Sequence, residues 1–350
     1  MKAAIIGATG YGGADLIRLL HNHPEVELRS VHSSSQQGIK ISDSYPHLQG
    51  ITDLELKDID PLLIKEQADV VFLSTPPGVS RDISSQLLEV GLKVIDLSGD
   101  LRLVDGKVYE KWYGIDAAKA SLLEKAVYGL PEWEKEKIQQ AELISNPGCY
   151  PTATLLGLLP LVKNELVDNR SIIIDAKSAV SGAGRSPSAV THFSEMNDNF
   201  KIYKVNQHKH IPEIEQGLNV YGGDVPFVTF STHLVPMTRG IMSTIYINSN
   251  SNSNSNQLTE KELRELFEET YKNAPFVRIR KTGHYPSTKE VYGTNYCDIG
   301  ITYDDRTGRI TVVSVIDNLM KGAAGQAIQN LNIMNGYEET SGLNYIPTYP

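Results

Sequence analysis

The chain has 350 residues with 42 acidic and 33 basic side chains, a net charge of −9, which argues against a nucleic-acid binder, and no basic cluster offsets it. Its length exceeds a comfortable single core, so two domains are expected. No apolar run approaches membrane-spanning length, and two widely separated cysteines make neither a disulfide framework nor a metal-ligand set, so neither membrane nor metal is expected. A strand starting at residue 2 leaves no room for a signal peptide, and the expected compartment is the reducing cytoplasm.

Residues 2–6 read as a short apolar strand, followed by Gly7-Ala8-Thr9-Gly10-Tyr11-Gly12-Gly13 and then a helical pattern over 14–20. Strand, glycine turn and helix form the context in which a glycine motif reads as a dinucleotide fingerprint, here as Gly7-x-x-Gly10-x-x-Gly13. Gly7 permits the tight turn, Gly10 lets a pyrophosphate approach the backbone, and the helix start receives the anion.

The second strand is expected over 26–31. An NAD site wants a carboxylate just beyond it for the ribose 2′-hydroxyl, and none occurs between Val31 and Lys40. Ser33, Ser34 and Ser35, with Lys40 as a nearby cation, suit a 2′-phosphate instead, so the expected cofactor is NADP(H). Further strands are expected at 68–73, 92–97 and 142–145, with a helix over 80–90. This alternation is that of a doubly wound, Rossmann-type α/β domain. Segments 74–78 and 98–102 follow strand ends, where such sheets bind ligands.

Cys149 stands in Ser145-Asn146-Pro147-Gly148-Cys149-Tyr150-Pro151-Thr152, a Pro/Gly turn ahead of an apolar helical run over 153–161. Free cysteines are more often buried and structural, but a thiol presented at a helix start is where a thiolate forms most readily. Cys149 is therefore the expected nucleophile. Cys297 lies in an alternating strand pattern and reads as structural.

Beyond residue 166 the pattern changes to strands in runs, at 171–175, 228–234, 241–248, 297–303 and 310–316. This predicts a second, α+β domain with a mostly antiparallel sheet. The Asn/Ser tract 248–256 reads as a solvated loop before a helix over 259–274. Three segments carry reactive groups. Residues 177–185, with Lys177, Ser178 and Arg185, supply hydroxyls and cations for an anion. His208-Lys209-His210-Ile211-Pro212-Glu213 pairs imidazoles with a carboxylate, the usual partnership of a catalytic thiol. His233 and Arg239 flank another strand end and could form an anion clamp.

These residues together resemble the N-acetyl-gamma-glutamyl-phosphate reductase family, relatives of the aspartate-semialdehyde dehydrogenases. The likeness runs through residues 7–12, 98–102, 146–152, 178–185, 208–216, 233–240 and 293–295. It closes with Asp317-Asn318-Leu319-Met320-Lys321-Gly322-Ala323-Ala324-Gly325-Gln326-Ala327. His32, Gly99 and the Asn/Ser tract depart from the family's pattern, none of them in the chemistry.

The resemblance implies an NADPH-dependent enzyme of arginine biosynthesis acting on a small acyl phosphate through a Cys149 thioester. His210 would be the acid–base group, with His208 its rival for that role. The implied cofactor contacts are Gly7, Thr9, Gly10, Tyr11, Gly12, Ser33, Ser34, Ser35, Ser74, Pro76, Ser181, Gly182 and Asn318. The implied substrate contacts are Arg102, Asn146, Ser178, Arg185, His208 and His233. The domains would be 1–148 with 317–350 for the cofactor and 149–316 for catalysis and oligomerisation, as a homodimer or homotetramer. Two alternatives remain: a related enzyme acting on aspartyl phosphate, and a non-catalytic Rossmann-fold binding protein, which would need neither Cys149 nor His210.

Overall fold

The computed structural model describes residues 1–250 and 258–349. Residues 251–256 of the Asn/Ser tract lie outside the described residues. The chain divides into two compact units, Met1–Gly148 with Ala323–Asn344, and Cys149–Gly322 with Tyr345–Pro350. The first unit is re-entered at Ala323 rather than Asp317, and the C-terminal residues from Tyr345 group with the second.

The first unit is a seven-stranded sheet made of β1 (Lys2–Ile6), β2 (Glu27–His32), β3 (Leu56–Lys57), β4 (Val70–Leu73), β5 (Lys93–Asp96), β6 (Val127–Tyr128) and β7 (Leu143–Ser145). Its order is β3-β2-β1-β4-β5-β7-β6, and every pairing is parallel. Parallel strands are covered on both faces, so Val70–Leu73 is an unbroken buried run instead of an alternating one. On one face Ala4, Ile6, Val71, Leu73 and Val94 pack with Leu87 and Leu92. Helix Gly325–Met334 packs in this unit against helices Tyr11–His21 and Pro131–Gln140. Strand order reverses at the β1/β4 pair, so the glycine loop after β1 and the turn after β4 both sit at the switch point.

Sequence periodicity finds the long strands and misses β3 and β6, which are two residues each and too short to show a period. Two departures from the family pattern have local explanations. A Cβ on Gly99 would lie 2.3 Å from the Tyr113 hydroxyl, whose ring stacks on Tyr109. His32 is buried, its Nδ1 2.7 Å from the Asp58 carbonyl and its Nε2 2.9 Å from Ser30 Oγ.

The second unit carries a mixed sheet of β8 (Ile173–Ala179), β9 (Lys201–Tyr203), β10 (Thr229–Val235), β11 (Ile241–Asn248), β12 (Val277–Ile279), β13 (Cys297–Asp304) and β14 (Arg309–Ile316). The order is β12-β13-β14-β11-β8-β10-β9, parallel only at β8/β10 and β12/β13. Along β11, Ile241, Ser243, Ile245 and Ile247 are buried while their neighbours are half-buried, the alternation of a sheet covered more fully on one face. Helix Cys149–Lys163 packs on β11, β13 and β14, and residues 150–162 of it are all buried, as expected for a helix apolar all round. Helices Ile211–Gly222 and Glu260–Thr270 pack beside it. Cys297, read as structural, is buried in β13 with its Sγ 3.4 Å from Ser314 Oγ.

Candidate active site

In the first unit the loop after β1 is built as a dinucleotide cradle. Gly7 has φ +85°, which a side chain rarely adopts, and a Cβ there would stand 2.3 Å from the Ser74 carbonyl oxygen. A Cβ on Gly12 would meet Ser74 Oγ at 2.7 Å, while one on Gly10 would have no closer neighbour than the Gly7 carbonyl at 3.6 Å. Gly7 and Gly12 therefore pack the loop against the end of β4, and Gly10 leaves its outer side open. Gly10 occupies the N-cap of helix Tyr11–His21 in extended geometry, with no side-chain cap and no acid in the first turn. Such a helix start favours a phosphate group. Tyr45 Oη donates to the Thr9 carbonyl at 2.9 Å, and the Gly7 amide donates to the His32 carbonyl at 3.0 Å, fixing the loop to the end of β2.

Beyond β2, Ser33 is buried and its Oγ accepts from the Ser35 amide at 3.3 Å, while Ser34 and Ser35 are exposed. Lys40 pairs with exposed Asp53 at 3.3 Å. Pro76 is exposed on the turn after β4.

Two residues expected at the substrate, Arg102 and Asn146, are buried and brace the backbone. Arg102 Nε donates to the Asn146 carbonyl at 2.9 Å and its Nη2 to the Leu97 carbonyl at 2.8 Å. The fully buried Asn146 amide donates to the Ala323 carbonyl at 3.2 Å and accepts from Asn330 at 3.0 Å. A guanidinium and an amide satisfied this way hold the turn that leads into Cys149.

In the second unit, Cys149 is the first residue of a 15-residue helix with no acid in its first turn, and it is half-buried. The expected turn is thus shorter than the sequence suggests, because the helix begins at the thiol itself. That position gives a thiolate the positive end of the helix dipole.

The next residue, Tyr150, organises the surroundings. Its ring packs edge-on against His208, Phe230 and His210, at 5.2, 5.4 and 5.9 Å between centroids. Its hydroxyl lies 3.0 Å from that of Tyr203 and also bonds Ser178. Burial first, then the neighbouring Tyr203 and the Cys149 charge, push the Tyr150 phenol far up. Tyr203 is raised by burial and by Cys149 as well. Both phenols therefore remain hydrogen-bond donors beside the thiol.

The two histidines differ in kind. His208 is buried, and burial with Lys204 and Lys209 lowers its pKa to about 3, so it is neutral at ordinary pH. Its Nδ1 accepts from the His210 amide at 3.2 Å. His210 sits at the N-cap of helix Ile211–Gly222, 4.7 Å from His208 between ring centroids.

Ser178, Ser181, Gly182 and Asn318 come together nearby. Asn318 donates to Ser181 Oγ at 3.0 Å and accepts from the Gly240 amide at 2.8 Å, and a Cβ on Gly182 would sit 3.3 Å from Ser178 Oγ. Arg185 is exposed beyond this cluster.

His233 is not in it. Phe230 and Thr232 point to the buried side of β10, so His233 points to the opposite face by strand alternation. There it pairs with Asp175 at 3.1 Å and stacks on Phe200, on the face of β10 away from Tyr150.

The sequence reading missed Tyr203, which lies on the short edge strand β9. It also missed Gly322, where an added Cβ would stand 2.7 Å from the Cys149 Cβ. Gly322 belongs to the 317–327 motif, in which only Asn318 was singled out.

The semialdehyde dehydrogenase NAD binding domain matches residues 2–141 and the semialdehyde dehydrogenase dimerisation domain matches 149–318. The N-acetyl-gamma-glutamyl-phosphate reductase of Halalkalibacterium halodurans is 60% identical over 350 residues, covering 100% of both chains. That of Geobacillus thermodenitrificans is 58% identical with the same coverage. The chain belongs to the N-acetyl-gamma-glutamyl-phosphate reductase family. The fold of this reductase is shared with aspartate semialdehyde dehydrogenase II from Vibrio cholerae, at a TM-score of 0.70 and 18% identity over 95% of this chain and 98% of that one. The Candida albicans aspartate semialdehyde dehydrogenase with NADP gives 0.69 and 20%, over 95% of this chain and 98% of that one. Among the described residues, no helix of the reductase is long and apolar enough to cross a membrane, and no cluster of ligating side chains could hold a metal.

Proposed function

We propose that this chain reduces N-acetyl-glutamyl 5-phosphate to the 5-semialdehyde, with Cys149 as nucleophile and NADPH as reductant. The observation that carries the reading is the half-buried thiol at the start of a buried helix, followed by a tyrosine packed on both imidazoles of the 208–210 segment. The glycine loop fits a dinucleotide, since Gly7 and Gly12 have no room for a Cβ while Gly10 leaves one side open. Gly7, Thr9, Gly10, Tyr11 and Gly12 would hold the diphosphate. Ser33, Ser34 and Ser35 would receive the 2′-phosphate, in a segment lacking a carboxylate.

Cys149 Sγ attacks the acyl carbon as the carbon–oxygen bond to phosphate breaks, leaving an S-acyl enzyme and free phosphate. His210 takes the thiol proton, gives it to the carbonyl-derived oxygen as the acyl carbon is reduced, and removes it again as the carbon–sulfur bond breaks, releasing the semialdehyde and the Cys149 thiolate. His208, already neutral and hydrogen-bonded to the His210 backbone, holds its neighbour's position. Ser178, with Arg185 beyond it, would engage the phosphate or carboxylates, and Asn318 with Ser181 and Gly182 would face the nicotinamide. NADPH supplies the hydride when bound. The reductase would work as a homodimer or homotetramer through the less covered face of the second sheet, in a reducing cytoplasm where Cys149 survives.

The test is the reverse assay, with phosphate, NADP and either N-acetyl- or N-succinyl-glutamate semialdehyde. Turnover with the acetyl compound at far higher kcat/KM supports the reading. Preference for the succinyl compound or for aspartate semialdehyde overturns the substrate assignment.

A further inference from the structure

The first unit contains a buried polar cluster that the mechanism above does not use. Asp96 at the end of β5 and Asp100 four residues on are both buried, as are Ser80, Ser98 and Tyr109. Asp100 accepts from the Gly78 amide through both oxygens at 2.8 Å, from the Arg81 amide at 3.2 Å, from Ser80 Oγ at 3.0 Å and from Tyr109 Oη at 2.6 Å. Burial and the bond to Asp100 raise the Tyr109 phenol, so it remains a donor.

The donors Asp100 gathers all lie on or against one turn. Gly78 has φ +93° and closes the segment after β4, and Ser80 and Arg81 begin helix Ser80–Glu89. The other end of that segment is Ser74, whose carbonyl and hydroxyl leave no room for side chains on Gly7 and Gly12. Ser74 is thus where this segment meets the glycine loop, through its backbone carbonyl at Gly7 and its hydroxyl at Gly12.

The hydrogens in the cluster are few. Ser80 Oγ has one proton and three oxygen neighbours, Ser98 Oγ at 2.6 Å and Asp96 Oδ2 and Asp100 Oδ2 each at 3.0 Å. Ser98 Oγ also lies 2.9 Å from Asp96 Oδ2 and accepts from the Asp100 amide at 3.2 Å. Two hydroxyl protons cannot serve these four oxygen–oxygen contacts at once, so the hydroxyls are shared between Asp96 and Asp100. Ser80 Oγ is placed to donate to Asp100 Oδ2 at 3.0 Å. An Asn at position 100 would turn an NH2 toward at least one donor and break that order.

We propose that Asp100 is a positioning residue for the cofactor, its carboxylate holding the Ser74–Gly78 turn in the shape that lets the glycine loop receive the dinucleotide. The proposal rests on the reading of that loop as the NADPH site. It assigns Asp100 no contact with the cofactor or the reacting atoms.

The test compares wild type, Asp100→Asn and Tyr109→Phe in the intact protein by fluorescence titration with NADPH and by hydrogen exchange of residues 75–81 without cofactor. Loss of a clamp made of charged hydrogen bonds should raise the Kd for NADPH roughly tenfold or more in Asp100→Asn, with faster exchange over 75–81. Tyr109→Phe, which removes one donor and leaves the carboxylate in place, should fold and give a smaller rise in the same direction. KM for NADPH should rise in step while kcat per folded molecule holds within about twofold, which a merely structural role would not produce. A Kd unchanged within about twofold in the folded variants overturns the proposal, whatever happens to their melting temperature. If Asp100→Asn does not fold, an unchanged Kd in Tyr109→Phe overturns it. Failure of the wild type itself to bind NADPH would instead refute the reading of the glycine loop.

Discussion

Gly322 lies directly against Cys149, so close that an added Cβ would stand 2.7 Å from the cysteine Cβ and 3.2 Å from its Cα. The second contact is with backbone, so it cannot be relieved by turning a flexible side chain. Gly322→Ala must shift the start of helix Cys149–Lys163 or the turn that carries residue 322. Displacements of about 1 Å at a reacting group can cost roughly a hundredfold in rate. We expect kcat to fall by that order, with NADPH affinity held near wild type. Fluorescence titration beside steady-state kinetics checks this, and near-normal kcat would show that the contact is relieved without moving the thiol.

The two histidines should separate cleanly. His210→Asn is expected to lower kcat by roughly a hundred- to ten-thousandfold, and to slow iodoacetamide alkylation of Cys149 near neutral pH. His208→Asn should do much less of either. His208 has a folded pKa of about 3 against an ordinary 6.5, so the stability tied to its neutral form is complete above pH 6.5 and lost as pH falls toward 3. Urea unfolding at several pH values should therefore show His208→Asn less acid-labile than wild type. Large kinetic effects at His208 with small ones at His210 would invert the assignment.

Much of the fold could be read from the sequence because its cues are local. Apolar runs at β1, β4 and β5 have strand length, and Gly7 to Gly13 stand between a strand and a helix. The candidate nucleophile was equally legible, since Asn146-Pro147-Gly148 cannot continue a helix and Cys149 begins one. What could not be read depends on partners far away in the chain. The bonds of Arg102 and Asn146 to backbone, Asn330 and Ala323 join segments that the sequence leaves far apart. His233 lies on the other face of β10 from Phe230, and an isolated strand pattern does not say which face carries the site. Gly322 touches Cys149 only through tertiary packing, which no spacing in the sequence reveals.

Cofactor preference tests the serine segment. NADPH should be used in preference to NADH, and Ser34→Asp or Ser35→Asp should weaken NADPH through repulsion of the 2′-phosphate. Both side chains are exposed, so neither change should unfold the protein. Equal kcat/KM for the two cofactors in the wild type would contradict the assignment.

Asp96 should leave a signature in stability against pH. Burial raises its pKa from 3.8 to about 6, so the native state binds this proton more tightly than the unfolded chain does. The contribution is greatest below pH 3.8, falls as pH rises through the interval to about 6, and is flat above it. The difference corresponds to about 3 kcal/mol. Asp96→Asn keeps the neutral form, so wild type minus variant should decline by up to that amount between pH 4 and pH 7 in urea titrations. A pH-independent difference would place the proton elsewhere.

The central claim is that Cys149 carries the acyl group, and intact-protein mass spectrometry tests it most directly. Wild-type enzyme mixed with N-acetyl-glutamate semialdehyde and NADP, with phosphate left out, should form one equivalent of NADPH and retain the acyl group, because the acceptor that releases it is missing. The account predicts a single N-acetylglutamyl adduct, mapped by peptide digestion to Cys149, lost on adding phosphate and absent from Cys149→Ser. Formation of NADPH with no adduct, or an adduct on another residue, would contradict it.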